Sequence, residues 1–347
     1  IRRVIPCSSC GKNLAARAVG LCPDCLRKSS LDKISLDSHF EVRKKFGLPE
    51  TPPRNAIGLK CNFCANECSI GPEKRGYCGL RKNIEGKIKN DFAENSALAY
   101  MYLDPLPTNC CAAWFCQGSK QKGFNLAVFF YGCSFNCLFC QNYSHKNLKE
   151  ASLLSEEQIV KAALKPEVRC VCFFGGSPEP QLPFAIKVSR RILKETNNKK
   201  HICWEWNGCG NPGLVKKAAE LSLQSKGTVK FDLKAFHPNL ARALCGTSLS
   251  RSYENFSMLA KLYPKENLLT ATTLLVPYYV DKKEVREIAR FISKENADIP
   301  YSLLVFHPDF IMNDMPVTPR RQAEECFLEA RSYLSNVYLG NRHLLGI

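Results

Sequence analysis

The chain lacks any long apolar run. Its longest candidates, such as residues 125 to 131 (Asn-Leu-Ala-Val-Phe-Phe-Tyr), are far too short to cross a bilayer, which excludes a helical membrane span. No stretch near the start has the basic, apolar and small-residue order of a secretion signal. There is no long low-complexity tract, so a largely disordered chain is also excluded. With 347 residues, 45% of them apolar, the chain can bury a full core, and one large domain with smaller attachments is expected. The expectation is a soluble protein of the cytoplasm with no membrane partner.

What the chain has in abundance is cysteine, 20 in all. In a small secreted protein these would be disulfides, whereas in an intracellular chain of this size clustered C-x2-C pairs indicate metal. The formal charge of +17 is therefore an upper value, because thiolates bound to metal are counted in it as neutral. Residues 1 to 90 carry 18 Lys and Arg against 8 acidic residues. That basic segment is either a solvated face or a surface for an acidic partner, protein or nucleic acid. No RNA-binding motif or interleaved aromatic and basic pattern supports nucleic acid.

From residue 124 apolar strands alternate with amphipathic helical stretches in six units. The strands read as 124 to 131, 168 to 174, 201 to 206, 228 to 233, 267 to 276 and 301 to 306. The helices between them include 155 to 164, 183 to 195, 211 to 224, 252 to 263 and 281 to 295. This order predicts an α/β fold with parallel strands and right-handed crossovers, a partial (β/α)6 TIM-like barrel over residues 121 to 347. Its active site is expected at the C-terminal ends of the strands. Cys170, Cys172 and Cys203 read as small core residues of strands and Cys326 as one of a helix. Cys209 and Cys245 fall near loops, where they could ligate or donate a hydrogen atom.

Ahead of the barrel stand two cysteine modules. Residues 1 to 30 hold Cys7-x2-Cys10 and Cys22-x2-Cys25, with Gly11 and Pro23 at the turns, a four-cysteine site of zinc-ribbon or rubredoxin type. Zinc and mononuclear iron are not separated by spacing. Residues 31 to 56 read as a charged helical linker followed by a loop at Thr51-Pro52-Pro53. Residues 57 to 120 hold Cys61, Cys64, Cys68 and Cys78, which suit a second metal centre, either iron-sulfur or a single iron ion. Cys110 and Cys116 are candidate further ligands or packing residues over the barrel mouth, with Cys111 read as a neighbour.

The most telling stretch is 131 to 142, Tyr-Gly-Cys-Ser-Phe-Asn-Cys-Leu-Phe-Cys-Gln-Asn, in the loop after the first barrel strand. Cys133, Cys137 and Cys140 can hold three irons of a 4Fe-4S cluster. Electron-transfer clusters use four cysteines, so the absence of a fourth nearby leaves one iron open to a substrate. A zinc knuckle or three core thiols is the alternative. Phe139, just before the last cysteine, sharpens the match.

This motif resembles that of the radical S-adenosylmethionine (SAM) superfamily. The resemblance implies that the open iron chelates the amino and carboxylate groups of SAM, and that one electron then splits the sulfonium into methionine and a 5'-deoxyadenosyl radical. The strand ends resemble the branch of the pyruvate formate-lyase activating enzymes, over about residues 124 to 340. Gly175-Gly176-Ser177-Pro178-Glu179 is similar to that branch's Gly-Gly-Glu-Pro element for the methionine amino group. Ser177 stands where Glu is usual, so Glu179 or backbone groups would take its place. By the same resemblance Lys234 pairs with the methionine carboxylate, His307 contacts the nucleoside, and Glu205 with Asp232 binds a monovalent cation beside Asn207. Trp206 in place of a small hydroxyl residue leaves that cation site open to question.

The expected activity is hydrogen abstraction from a protein or peptide substrate, fed by an electron donor of flavodoxin or ferredoxin type. One alternative is a cobalamin-dependent methyltransferase acting on a protein residue, as in methyl-coenzyme M reductase, and a bound corrinoid would identify it. A non-enzymatic multi-cluster electron carrier is the other, and it leaves the strand-end motifs unexplained.

Overall fold

The computed structural model describes residues 4–108 and 110–346, so the first three residues expected in the N-terminal module lie outside the described residues. Strands β1 (Ile5–Pro6) and β2 (Leu14–Ala15) form an antiparallel hairpin, followed by helices α1 (Pro23–Lys28) and α2 (Asp37–Lys45). Two more hairpins come next, β3 (Leu59–Lys60) with β4 (Ser69–Ile70), and β5 (Lys82–Ile84) with β6 (Lys87–Lys89). The β5–β6 turn is Glu85-Gly86 with φ of 50° and 72°, the paired left-handed backbone that a two-residue hairpin demands.

The main sheet contains β7 (Ser96–Pro105), β8 (Phe124–Phe130), β9 (Leu153–Ser155), β10 (Val168–Gly175), β11 (His201–Trp206), β12 (Val229–Asp232), β13 (Leu269–Leu275), β14 (Tyr301–Val305) and β15 (Val337–Gly340). Its order is β15-β14-β13-β12-β11-β10-β8-β7-β9. The run from β8 to β15 is parallel, with helices α3 (Glu156–Ala163), α4 (Leu182–Glu195), α5 (Pro212–Ser225), α6 (Pro238–Cys245), α7 (Ser250–Leu262), α8 (Lys282–Glu295) and α9 (Arg320–Arg331) in its connections. All six strands read from the sequence are present. The sheet is wider than those six, because β15 adds a parallel edge and β7 and β9 add an antiparallel one. β15 is only four residues long and half of it faces outward, too little for an apolar signal. β7 comes from within the segment read as cysteine-rich and metal-binding.

The helices begin where side chains satisfy their free N–H groups. Ser155 and Gln158 form a reciprocal capping box on α3, Asn211 caps α5 ahead of Pro212, and Asp281 accepts the Glu284 N–H on α8. Side chains alternate across the strands. Val171, Phe173, Ile202, Trp204, Val229, Phe231, Leu303 and Val305 pack in one core that the helices cover. The opposite face carries Cys170, Cys172, Cys203, Glu205, Lys230, Thr272 and Ser302. The three strand cysteines are buried, as their reading as small core residues expects, and they sit on the face opposite the helix-packed core, toward the barrel lumen.

The N-terminal module docks on the barrel. Arg27 meets Asp281 at 2.7 Å and Glu284 at 3.3 Å, the Ala16 N–H donates to the Tyr279 hydroxyl at 2.9 Å, and Asn239 donates to the Leu26 and Ser29 carbonyls. Helix α2, read as part of a linker, is helical but packed: His39, Val42 and Arg43 are buried on one face. Among the described residues no helix is long and apolar enough to cross a membrane.

Candidate active site

A cavity of about 160 Å³ opens at the C-terminal ends of the parallel strands. Its wall takes Cys133, Cys137, Phe139 and Cys140 from the loop after β8, and Gly175, Gly176 and Ser177 from the end of β10. Glu205, Trp206 and Asn207 come from β11, Lys230, Asp232 and Lys234 from β12, and Thr272 from β13. Residues far apart in sequence therefore converge because each sits where a parallel strand ends.

The cysteine loop is held from all sides. Gly132 turns with φ of +80°, and a Cβ there would lie 2.6 Å from the Leu80 side chain. The Asn136 and Leu138 N–H groups donate to the Cys245 and Leu244 carbonyls at 3.0 and 2.9 Å, at the end of α6. His39 reaches from α2 to the carbonyls of Asn136 and Ala243, both at 3.0 Å. Lys146, 1% exposed, donates to Asn136 Oδ1 at 2.8 Å.

Burial pushes the Cys133 thiol up to about 12 and raises Cys140, with Lys146 opposing in both cases. A hydrogen bond with Cys245, reinforced by burial, raises Cys137. Three buried thiols beside two lysines suit thiolates that are given their charge balance by metal. No three of the described His, Cys, Asp and Glu groups here gather within 4.8 Å, in contrast to the N-terminal quartet.

Across the cavity Lys234 pairs with Asp232, and its ammonium lies 5.7 Å from the Phe139 ring centre. Burial works against the Lys234 charge, but Asp232 and Cys137 outweigh it and raise its pKa. Asp232 Oδ1, Thr272 Oγ1 and His145 Nδ1 are buried with no protein partner. Buried polar atoms normally have one, so the cavity is made for a polar ligand. The residues present thus fit both the cluster and SAM.

Two expected contacts are not brought to the cavity. Glu179 is fully buried, takes a hydrogen bond from Ser177, and accepts the Gly208 N–H at 2.7 Å. It braces the β11 loop instead of replacing the missing amino-group ligand. His307 is exposed and faces Asp309 at 3.3 Å, outside the lining. Glu205 lines the cavity but turns to Lys230 at 3.2 Å rather than to Asp232. Asn207 donates to Ser134 Oγ at 3.0 Å and lies 3.7 Å from Cys133 Sγ, so it supports the cysteine loop.

The ligand atoms of Cys7, Cys10, Cys22 and Cys25 all lie within 4.8 Å of one another, as a tetrahedral four-sulfur site requires. Burial raises the Cys7 thiol, but the N–H groups of Cys22, Cys10 and Ser9 bring it down to about 6. Cys61, Cys64, Cys68 and Cys78 behave differently. Burial pushes Cys61 up to about 12 and Cys68 to about 11, and Cys64 is raised chiefly by a hydrogen bond with Cys209. No three of them gather within 4.8 Å. Cys116 does not join Cys110: its sulfur lies 3.8 Å from Thr228 Oγ1. Cys111, read as a bystander, instead stands with Cys110 and Glu205. Sequence reading also missed His39 and Lys146 as supports of the cysteine loop, and only a buried basic residue next to a cysteine motif could have flagged the latter.

The family model described as the radical SAM superfamily matches residues 127–292. An uncharacterised protein of Methanocaldococcus jannaschii is 24% identical over 291 residues, covering 82% of this chain and 81% of its own length. A second protein of that organism, named a putative glycyl-radical enzyme activating enzyme, is 24% identical over 214 residues, covering 60% of this chain and 77% of its own. Among solved structures, a domain of pyruvate-formate lyase-activating enzyme from Bacteroides vulgatus aligns with a TM-score of 0.41 at 16% identity, over 49% of this chain and 98% of that domain.

Proposed function

We propose that this chain, whose residues 127–292 match the radical SAM superfamily model, cleaves SAM reductively and abstracts hydrogen from a residue of a protein or peptide. The observation that carries this is the arrangement of the three thiols of the Cys133 to Cys140 loop and the Lys234–Asp232 pair around one cavity lined with unpartnered polar atoms. Cys133, Cys137 and Cys140 would hold a 4Fe-4S cluster, which supplies, when bound, the electron for cleavage.

The chain's own residues supply position. Lys234 offers an ammonium to the methionine carboxylate, and Phe139 beside it limits where that ammonium can go. Gly175 and Gly176 let the end of β10 pack tightly beside the cysteine loop, since a Cβ on Gly175 would collide with the Phe130 backbone and one on Gly176 with the Gly132 carbonyl and the His145 ring. Asp232 and Thr272 offer acceptors for hydroxyl or amino groups. Holding the sulfonium in one orientation is the main catalytic contribution of such a site. A polypeptide substrate is supported by one relative, the putative glycyl-radical enzyme activating enzyme of Methanocaldococcus jannaschii. The two N-terminal cysteine modules would hold zinc or iron in the quartet of residues 7 to 25, and an iron-sulfur cluster or an iron ion at residues 61 to 78.

The test is anaerobic reconstitution with iron and sulfide, then dithionite and SAM, with 5'-deoxyadenosine and methionine followed by mass. Cys137→Ala serves as control and a parallel sample contains methylcobalamin. Deoxyadenosine from the wild type alone supports the proposal. Corrinoid retained on the protein moves the activity to methyl transfer, and a full cluster complement without deoxyadenosine favours an electron carrier.

A further inference from the structure

Below the cavity, toward the N-terminal ends of the strands, the barrel lumen is closed by residues 106–108 and 110–121. This segment leaves β7 at Pro105, which is paired with Phe124 at the start of β8. Trp114 anchors it, donating through Nε1 to Ser302 Oγ at 2.9 Å and stacking on Tyr338 at 5.5 Å. Ser302 in turn donates to the Cys111 carbonyl at 2.7 Å. Turn bonds from Ala113 to Cys110 and from Cys116 to Ala112, both 2.9 Å, and Ser119 bonded to the Ala113 and Cys116 carbonyls complete the plug. These contacts hold Cys110 and Cys111 inside the lumen.

There the two sulfurs and a carboxylate oxygen of Glu205 lie within 4.8 Å of one another. Lys230 adds a buried ammonium, 3.2 Å from each of Cys110 Sγ, Cys172 Sγ and Glu205 Oε2. The Ala112 N–H also points at Cys110 Sγ, at 3.4 Å, as donors do toward a thiolate. One ammonium balances one anion only, and an unbalanced buried anion is costly. Bound to a metal as thiolates, the two cysteines and the carboxylate would carry three negative charges, which a divalent ion and Lys230 together would cancel. Thiolate ligands select soft ions such as zinc or ferrous iron over magnesium or calcium.

We propose that Cys110, Cys111 and Glu205 bind a divalent zinc or ferrous ion in the barrel lumen, at the floor of the cavity, with Lys230 bonded to the ligands from behind. Three protein ligands leave a fourth position open, the pattern of catalytic rather than structural zinc. Glu205 and Lys230 both line the cavity, so Glu205 would link the ion to the space that a substrate enters. The ion site stands whether or not the cavity takes SAM. It replaces the expected use of Glu205 at a monovalent cation site shared with Asp232.

The experiment uses the full chain, purified anaerobically and reconstituted with clusters so that the cluster cysteines are occupied, then loaded with zinc and freed of excess. Wild type is expected to keep two zinc ions per chain, one in the Cys7 quartet. Cys7→Ser/Cys10→Ser and Cys110→Ser/Cys111→Ser should each keep one, and the combined variant none. Glu205→Gln, which keeps both thiols and the side-chain size, should lose the lumen ion to a competing chelator at least about tenfold more readily. In the Cys7→Ser/Cys10→Ser background, cobalt in place of zinc should show thiolate charge-transfer absorption of two-sulfur intensity. Zinc content unchanged in Cys110→Ser/Cys111→Ser together with unchanged chelator loss in Glu205→Gln would overturn the proposal, as would recovery of Cys110 and Cys111 as a disulfide in the zinc-loaded wild type.

Discussion

Lys146 donates to Asn136 Oδ1 at 2.8 Å, and through that bond a fully buried ammonium is tied into the loop that carries Cys133, Cys137 and Cys140. Burial lowers the pKa of Lys146, while the sulfurs of Cys140 and Cys133 act to keep it charged. The lysine and the thiols depend on each other, so a cluster held here would feel a nearby positive charge.

The Lys146→Met variant removes that charge with similar bulk. Reconstituted, it should show a cluster reduction potential lowered by tens of millivolts, about 59 mV being a tenfold change for one electron. A redox titration followed by EPR measures this. An unchanged potential with normal iron content would mean that the lysine only packs the loop.

Lys234 is the cation placed to meet a ligand carboxylate. Because a hydrogen bond to a charged group contributes about 1.5–3 kcal/mol, Lys234→Met should weaken SAM binding roughly ten- to a hundredfold, measured by equilibrium dialysis with the cluster in place. Cluster content should stay at the wild-type level, which separates loss of ligand binding from loss of the cluster.

Gly176 has no room for a side chain: a Cβ would lie 2.2 Å from the Gly132 carbonyl oxygen and 2.8 Å from the His145 ring. Gly176→Ala forces either the β10 end or the cysteine loop to move. A loss of about 1–3 kcal/mol is expected, as for overpacked sites, with lower iron retention. Thermal unfolding and iron analysis are the readouts. Gly86→Ala, at an exposed hairpin turn whose Cβ would meet nothing within 4 Å, should leave iron retention unchanged.

His39 titrates abnormally. Burial, with Lys146 and Arg43 adding to it, brings the imidazole down to about 4 from the usual 6.5, against the pull of the Ala243 and Asn136 carbonyls. The folded chain therefore holds His39 neutral where the unfolded chain would protonate it. Its contribution is fully present above about pH 6.5 and is lost as the pH falls toward 4. At about 1.4 kcal/mol per unit, the wild-type apoprotein should lose on the order of 3 kcal/mol more than His39→Gln across that window. Denaturant titrations of both proteins at pH 7 and pH 4.5 decide it, and equal losses would count against the assignment.

Much of the fold was legible because parallel strands and their crossover helices leave local periodicities, and six of the strands lie where the sequence places them. The short edge strand β15 and the antiparallel β7 were not legible, since edge pairing depends on neighbours rather than on a residue's own pattern. Within the site, Lys234, Asp232, Gly175 and Gly176 reach the cavity as read. Glu179 and His307 do not: one is drawn under the β11 loop by the Gly208 N–H, and the other faces outward to Asp309.

By itself the sequence determined whatever is carried by short spacing. The Cys7 to Cys25 quartet and the Cys133 to Cys140 loop follow from turns of a few residues, and there the chain has little freedom. Tertiary structure alone decided which side of a buried strand a cysteine faces. Cys172 and Val171 both look apolar in the sequence, yet pleating sends Val171 to the helices and Cys172 to Lys230. It also decided that Cys111 meets Glu205, nearly a hundred residues away, because only the curving of the open sheet and the Trp114 anchor bring that plug and that strand to the same point in the lumen.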